Sequence, residues 1–263
     1  MNDFFKNTII NSHATIIEIP RGYGFEFALK KIDFPKEIQV IKFKPTIHST
    51  QKTESINVED IETLQEKVKV KSVKKRCFVF VNAEKMNEAA QNKFLKIFEE
   101  PTKNTSFLLL TENKNALEKT ILSRAQILRI PPISTIESLN MLKKTKLDDQ
   151  DRQKIIFLAD GLPGEIEKLS NSKKYFNEQI ENAEIAKRWF MGSRFDKIVI
   201  IKILKSDRDK TLKVLEILLK ITSQTFAQSP KENALKAKEI LNAFDRISKN
   251  GNISLILLRV AMI

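Results

Sequence analysis

Apolar and polar positions change period along this chain, and the changes mark its elements. Apolar, largely β-branched or aromatic residues run almost unbroken over 15–19 (TIIEI), 40–43, 77–81 (CFVFV) and 106–110. Such short runs, bounded by turn residues, predict strands; the run at 77–81 fits a central parallel strand buried on both faces. Between them the period lengthens to that of a helix. Ile56, Ile61, Leu64 and Val68 share a face over 55–68, and Met86, Ala90, Phe94, Ile97 and Phe98 share another. Pro101 stops this second helix after Glu99 and Glu100. Strands alternating with helices predict a doubly wound α/β sheet. After Ile130, Pro131 and Pro132 the strand signals largely stop. Short helices are expected up to Leu169, around Gly161, Leu162, Pro163 and Gly164, and from Phe176 onward the pattern is helical and amphipathic, as in 211–219.

Composition permits this much structure. The 263 residues are 41% hydrophobic, enough for two or three cores, and six glycines with eight prolines argue against long flexible linkers. No stretch approaches 18 apolar residues, so no membrane span is expected. The opening MNDFFKNTIINSH lacks a basic segment followed by an apolar one and predicts no secretory leader. Cys77 is the single cysteine, which excludes a disulfide framework or a thiolate zinc site and fits a reducing, cytoplasmic setting.

The net charge of +13 suggests a polyanionic partner, although basic residues outnumber acidic ones by 22 to 16 in 1–133, 8 to 7 in 134–177 and 16 to 10 in 178–263. One cluster stands out: Lys67, Lys69, Lys71, Lys74, Lys75 and Arg76. It reads either as a solvated helix end and turn or as a set of phosphate contacts to duplex DNA, made without reading sequence.

The first strand leads through a glycine-bearing turn into a helical pattern that includes Leu29 and Ile32, which is the frame of a phosphate loop. A working loop needs Gly-x-x-x-x-Gly-Lys-Ser/Thr: glycines for backbone approach, lysine for the terminal phosphates, a hydroxyl for Mg²⁺. Here the stretch runs Ile19, Pro20, Arg21, Gly22, Tyr23, Gly24, Phe25, Glu26. Phe25 removes the cation, and Glu26 sets a carboxylate against the triphosphate; Arg21, at a variable position, offsets only part of that repulsion. After the strand 77–81, where an ATPase carries an acidic pair for Mg²⁺ and the attacking water, stand Val81 and Asn82, and Glu84 lies two residues too far along. No nucleotide binding is expected at this loop. His13 and His48 lack a nearby carboxylate or second ligand and read as surface or turn residues. Trp189 reads as helix packing, and the adjacent Glu99 and Glu100 diverge on a helix rather than forming an acid pair.

The run from Ala83 to Gln126 carries a more specific pattern. A helix ending in Glu99-Glu100-Pro101, a strand ending in Thr111-Glu112-Asn113, and Ser123-Arg124-Ala125 after a further helix occur in the order found in AAA+ clamp-loader subunits. In that family the last motif is Ser-Arg-Cys, so Ala125 replaces the cysteine, a change that should alter packing more than chemistry. With its degenerate loop, the chain resembles the delta-prime group of the bacterial DNA polymerase III clamp loader. The resemblance is clearest over 55–126, weaker over 13–32 and 130–169, and beyond that rests on helicity alone.

That resemblance implies a RecA-like AAA+ domain over 1–133, a helical lid over 134–177 and an all-α collar over 178–263. It implies a poorly or non-hydrolysing member of a five-subunit ring, partnered by ATPase subunits and a delta subunit, that helps load the sliding clamp on primer–template DNA. Any ATP would be bound by the neighbour, and the family's four-cysteine zinc module is missing, with only Cys77 present and a short stretch at 34–55. Arg124, with Ser123 beside it, would be an arginine finger acting in trans. Periodicity alone reads Arg124 instead as a helix-terminal arginine pairing with a surface carboxylate. Asn113 occupies the position of a polar sensor, or simply caps a strand. Glu165 stands near the Gly-x-Pro-Gly turn where a lid usually offers a basic group. Two alternatives stay open: a stand-alone basic DNA-binding protein on an inactive AAA+ fold, and an active AAA+ ATPase.

Overall fold

The computed structural model describes residues 12–32, 34–47, 53–70, 72–143 and 145–262. Along the chain come β1 (Ala14–Glu18), α1 (Phe25–Ile32), β2 (Gln39–Phe43), α2 (Val58–Lys69), β3 (Arg76–Val81), α3 (Glu88–Glu99), β4 (Thr105–Thr111), α4 (Lys119–Arg124) and β5 (Gln126–Arg129). The five strands form one parallel sheet in the order β2-β3-β4-β1-β5. The expected α/β architecture, a parallel sheet followed by helices, is therefore observed.

Side-chain alternation divides the core into two layers, as a sheet covered on both faces requires. Ile16, Phe78, Phe80, Phe107 and Leu109 face the layer that holds α2, α3 and α4, through Ile61, Leu64, Phe94, Phe98 and Ile121. Ile17, Cys77, Val79, Val81, Leu108 and Leu110 face the other, against Ala28, Leu29 and Ile32 of α1. Burial pushes the Cys77 thiol up to about 11, despite a hydrogen bond with Ser106, so it stays protonated and inert.

Two helix starts differ from the sequence expectation. The helix expected over 55–68 begins at Val58, because Asn57 caps it: its side chain accepts from the Asp60 N–H, and Asp60 returns a bond to the Asn57 N–H. Ser55 and Ile56 instead bridge to Thr46 and Met86. Likewise Asn87 accepts from the Ala90 N–H at 2.8 Å and starts α3 after Met86, which is buried in the same layer but precedes the helix.

Beyond β5 every element is helical: α5 (Thr135–Leu142), α6 (Asp149–Ala159), α7 (Pro163–Asn171), α8 (Lys173–Met191), α9 (Arg194–Leu204), α10 (Arg208–Gln224), α11 (Pro230–Ser248) and α12 (Ile253–Ala261). The chain divides into two compact units, Met1–Lys144 with Ala159–Glu167, and Thr145–Leu158 with Lys168–Ile263. The second unit has its own core, built on Ala186, Trp189, Leu204, Val214, Leu218, Ile240, Ile247 and Leu257. Trp189 is thus a packing residue among helices. No helix among the described residues is long and apolar enough to cross a membrane.

Candidate functional site

All strands of a parallel sheet end on the same side, so the sheet has a carboxyl edge and an amino edge. β1 sends the chain one way, to β2, while its neighbour β4 sends it the other way, to β5. The crevice at the carboxyl end of β1 is where such a sheet ordinarily takes a ligand. The glycine-bearing turn lies there.

Gly22 and Gly24 have φ of 87° and 86°, backbone that glycine adopts without strain. Tyr23 between them is buried, and burial first, with the Glu137 carboxylate second, holds its phenol above the usual range. The carbonyls of Gly22 and Tyr23 accept the N–H groups of Glu165 and Gly164, each at 2.9 Å. Those donors belong to the first turn of α7, an end that would otherwise favour an anion. A Cβ at residue 164 would stand 2.9 Å from the Gly22 oxygen and 3.1 Å from the Tyr23 oxygen, so the turn seats itself on a glycine. Phe25 packs against the apolar layer beneath the turn. The Glu26 carboxylate faces Lys44 at 2.6 Å, and that hydrogen bond, followed by the same ammonium's charge, lowers its pKa.

The acidic candidate beside this crevice is also committed. Glu84 Oε1 accepts the Glu112 N–H at 3.0 Å, and the Asn82 amide, turned to satisfy both, lies 3.0 and 3.1 Å from its oxygens. Glu84 therefore ties together the ends of β3 and β4. Asn113 accepts the Asn115 N–H at 3.2 Å and starts the 3₁₀ turn Lys114–Ala116, the capping role. Glu18, at the end of β1, is flanked by Lys114 at 3.4 Å and Arg129 at 3.2 Å.

Arg124 lies at the opposite edge. It ends α4, two residues before Gln126, and Gln126 pairs with Thr15 near the start of β1. The strand between the two edges has five residues, about 16 Å at roughly 3.3 Å per residue. Ile121 is fully buried under α4, Leu122 and Ala125 pack beside it, and Arg124 is left 43% exposed. The placement of α4 depends on Gln91, which sequence reading passed over. Its amide donates to the carbonyls of Met86 and Ala116 at 3.0 and 3.1 Å and accepts the Glu118 N–H at 2.8 Å. Arg124 Nη1 donates to the Thr120 carbonyl at 3.2 Å and to Ser123 Oγ at 3.4 Å, and Nη2 meets Glu99 Oε1 at 3.1 Å. Ser123 in turn donates to the Thr120 carbonyl at 3.0 Å. The surface carboxylate that periodicity alone anticipates is Glu99.

The basic cluster is also at the amino edge, where α2 turns into β3. Lys67, Lys69, Lys74 and Lys75 are exposed, and no carboxylate pairs with them among the described residues. Lys67 Nζ stands 5.4 Å from the centre of the Phe43 ring. Arg76 does not belong with them. It is 5% exposed, and its guanidinium caps the end of α2, donating to the carbonyls of Lys67 and Val68 at 2.6 and 3.3 Å. A residue so committed offers nothing to a phosphate, which corrects its expected DNA contact. Lys71 and His48 fall outside the described residues. His13 is exposed, its ring 6.4 Å from that of Phe98.

Comparison with known proteins gives the following. A family model described as "DNA polymerase III, delta subunit" matches residues 30–134. DNA polymerase III subunit delta' of Buchnera aphidicola subsp. Schizaphis graminum is 32% identical over 101 residues, 38% of this chain and 31% of that protein. The Bacillus subtilis subunit of the same name is 35% identical over 92 residues, 34% of this chain and 28% of its own length. The matched stretch thus spans about a third of each relative. Among solved structures, a DNA polymerase III gamma subunit-related protein of Thermotoga maritima is similar at a TM-score of 0.46 and 17% identity, over 99% of this chain and 97% of that one. A Walker-type ATPase of Pyrococcus abyssi is similar at 0.47 and 12%, over 98% and 93%. Over about a third of its length, then, the chain is similar to DNA polymerase III subunit delta'.

Proposed function

We propose that this chain is a non-hydrolysing, delta-prime-like subunit of a DNA polymerase III clamp loader, supplying Arg124 in trans to the nucleotide site of an adjacent ATPase subunit. One observation carries the reading: the arginine of the Ser-Arg motif stands at the amino edge of the sheet, while the degenerate loop stands at the carboxyl edge. With about 16 Å of strand between them, Arg124 has no route to a phosphate held by its own chain. A guanidinium fork offered from outside suits the charge that develops on a transferring phosphoryl group.

The home crevice supports the same reading. Its residues do not fit a magnesium triphosphate: Phe25 replaces the cation, and the Gly164 and Glu165 N–H groups are spent on loop carbonyls. The delta subunit, the sliding clamp and primer–template DNA enter as partners of the same assembly, with Lys67, Lys69, Lys74 and Lys75 as phosphate contacts. The domain limits 1–133, 134–177 and 178–263, as sheet, lid and collar, belong to this proposal.

The test compares MgATP turnover by the chain alone and after mixing with clamp-loader ATPase subunits. The expected result is no turnover alone, and co-elution with the ATPase subunits on a sizing column. Turnover by the isolated chain would make it an active ATPase. Failure to co-elute, with salt-sensitive DNA binding by the free chain, would make it a stand-alone DNA-binding protein.

A further inference from the structure

We infer that Glu99 is a positioning residue that sequesters the Arg124 fork within its own chain and competes for it with the neighbouring subunit's triphosphate. This rests on the finger reading above and adds what that reading leaves open, the state of the arginine before it engages. Glu99 is the last residue of α3 and Arg124 the last of α4, so the two meet across elements 25 residues apart in sequence. Both terminal nitrogens of the guanidinium are occupied: Nη2 by Glu99 at 3.1 Å, Nη1 by the Thr120 carbonyl and Ser123 Oγ. A bidentate grip on phosphate oxygens uses the same donors. An arginine that grips phosphate end-on, through Nη1 and Nη2 together, therefore has to leave Glu99 first.

The pair is 43% exposed on both sides, and exposed pairs are weak, so this latch is easily displaced. It lowers the fraction of arginine competent to engage without blocking it. Removing the charge should raise kcat/KM for ATP at the shared site by about 1.5–5-fold. Glu100, the next residue, is exposed and makes no such pair among the described residues, so Glu100→Gln controls for the loss of a carboxylate.

The experiment is a double-mutant cycle in the reconstituted loader, with Glu99→Gln, Arg124→Ala and the double variant assayed for ATP turnover. Glu99→Gln should raise kcat/KM, Glu100→Gln should leave it unchanged, and Glu99→Gln should do nothing once Arg124 is Ala. An unchanged or lowered value for Glu99→Gln overturns the latch, as does the same gain in the Arg124→Ala background. Loss of turnover in Arg124→Ala alongside a flat Glu99→Gln removes the latch and leaves the finger standing. No loss in Arg124→Ala removes both.

Discussion

Three charged residues show how far side-chain chemistry depends on what lies across the fold. Arg76, beside four exposed lysines in space and in sequence, is indistinguishable from them until the end of α2 is placed over it. Lysine charges stay in water there, while the planar fork of Arg76 satisfies two carbonyls that a helix end leaves open. Arg124 reads as half of a surface pair, and its partner, Glu99, is found only when α3 and α4 are adjacent. Glu137 accepts from Lys31 at 2.7 Å and from the Ser134 N–H at 2.9 Å, and these bonds, the Lys31 one first, hold its carboxyl at about 2 against an ordinary 4.5. A depressed carboxyl pKa stabilises the fold at pH above the unfolded value and ceases to do so as pH falls through the folded one. The urea midpoint of the chain should therefore exceed that of Glu137→Gln at pH 6, and the gap should close between pH 4.5 and about 2. A gap that is constant with pH would show that the carboxylate charge contributes nothing.

At the scale of elements, the strands were the most legible feature. An apolar run such as 77–81 has few ways to satisfy both its side chains and its backbone except as a central strand, and β3 is buried throughout. Helix starts were less legible, because Asn57 and Asn87 cap α2 and α3 inside stretches whose apolar spacing extends further back. Periodicity registers burial; it does not register where backbone N–H groups first find a partner. Gln91 left no periodic signal at all. It is a polar residue on a buried face, and its role is visible only through the three backbone groups it satisfies at the entry to α4. Gln91→Leu should strand those groups and destabilise the chain by about 1–3 kcal/mol, read by chemical denaturation. A variant as stable as the parent would mean that α4 is held by Ile121 and its apolar neighbours alone.

For the whole molecule, the decisive relation is between two edges of one sheet. Its carboxyl edge, where an α/β protein usually works, is closed by its own groups: loop carbonyls on α7, Glu84 on the β4 end, Glu18 between Lys114 and Arg129. Its amino edge presents a half-exposed guanidinium and a row of lysines that no carboxylate pairs with among the described residues. The departure of the loop from a phosphate-binding pattern was legible because it consists of missing residue types at fixed spacing. The role proposed for Arg124 rests in the sequence on the pattern over 83–126 alone, since an arginine at a helix end is common and its distance from the loop needs the strand register. The helices of the second unit matched the expectation only in being helical, since amphipathic periodicity identifies a buried face without specifying its partner. The most direct test is single-turnover ATP hydrolysis by the reconstituted loader at the site facing this subunit, with Arg124→Ala in place of the parent chain. A finger contributes about 10³–10⁵ in rate, so hydrolysis there should fall by about a thousandfold or more while the complex still assembles. Hydrolysis at the parental rate in a fully assembled complex would contradict the account.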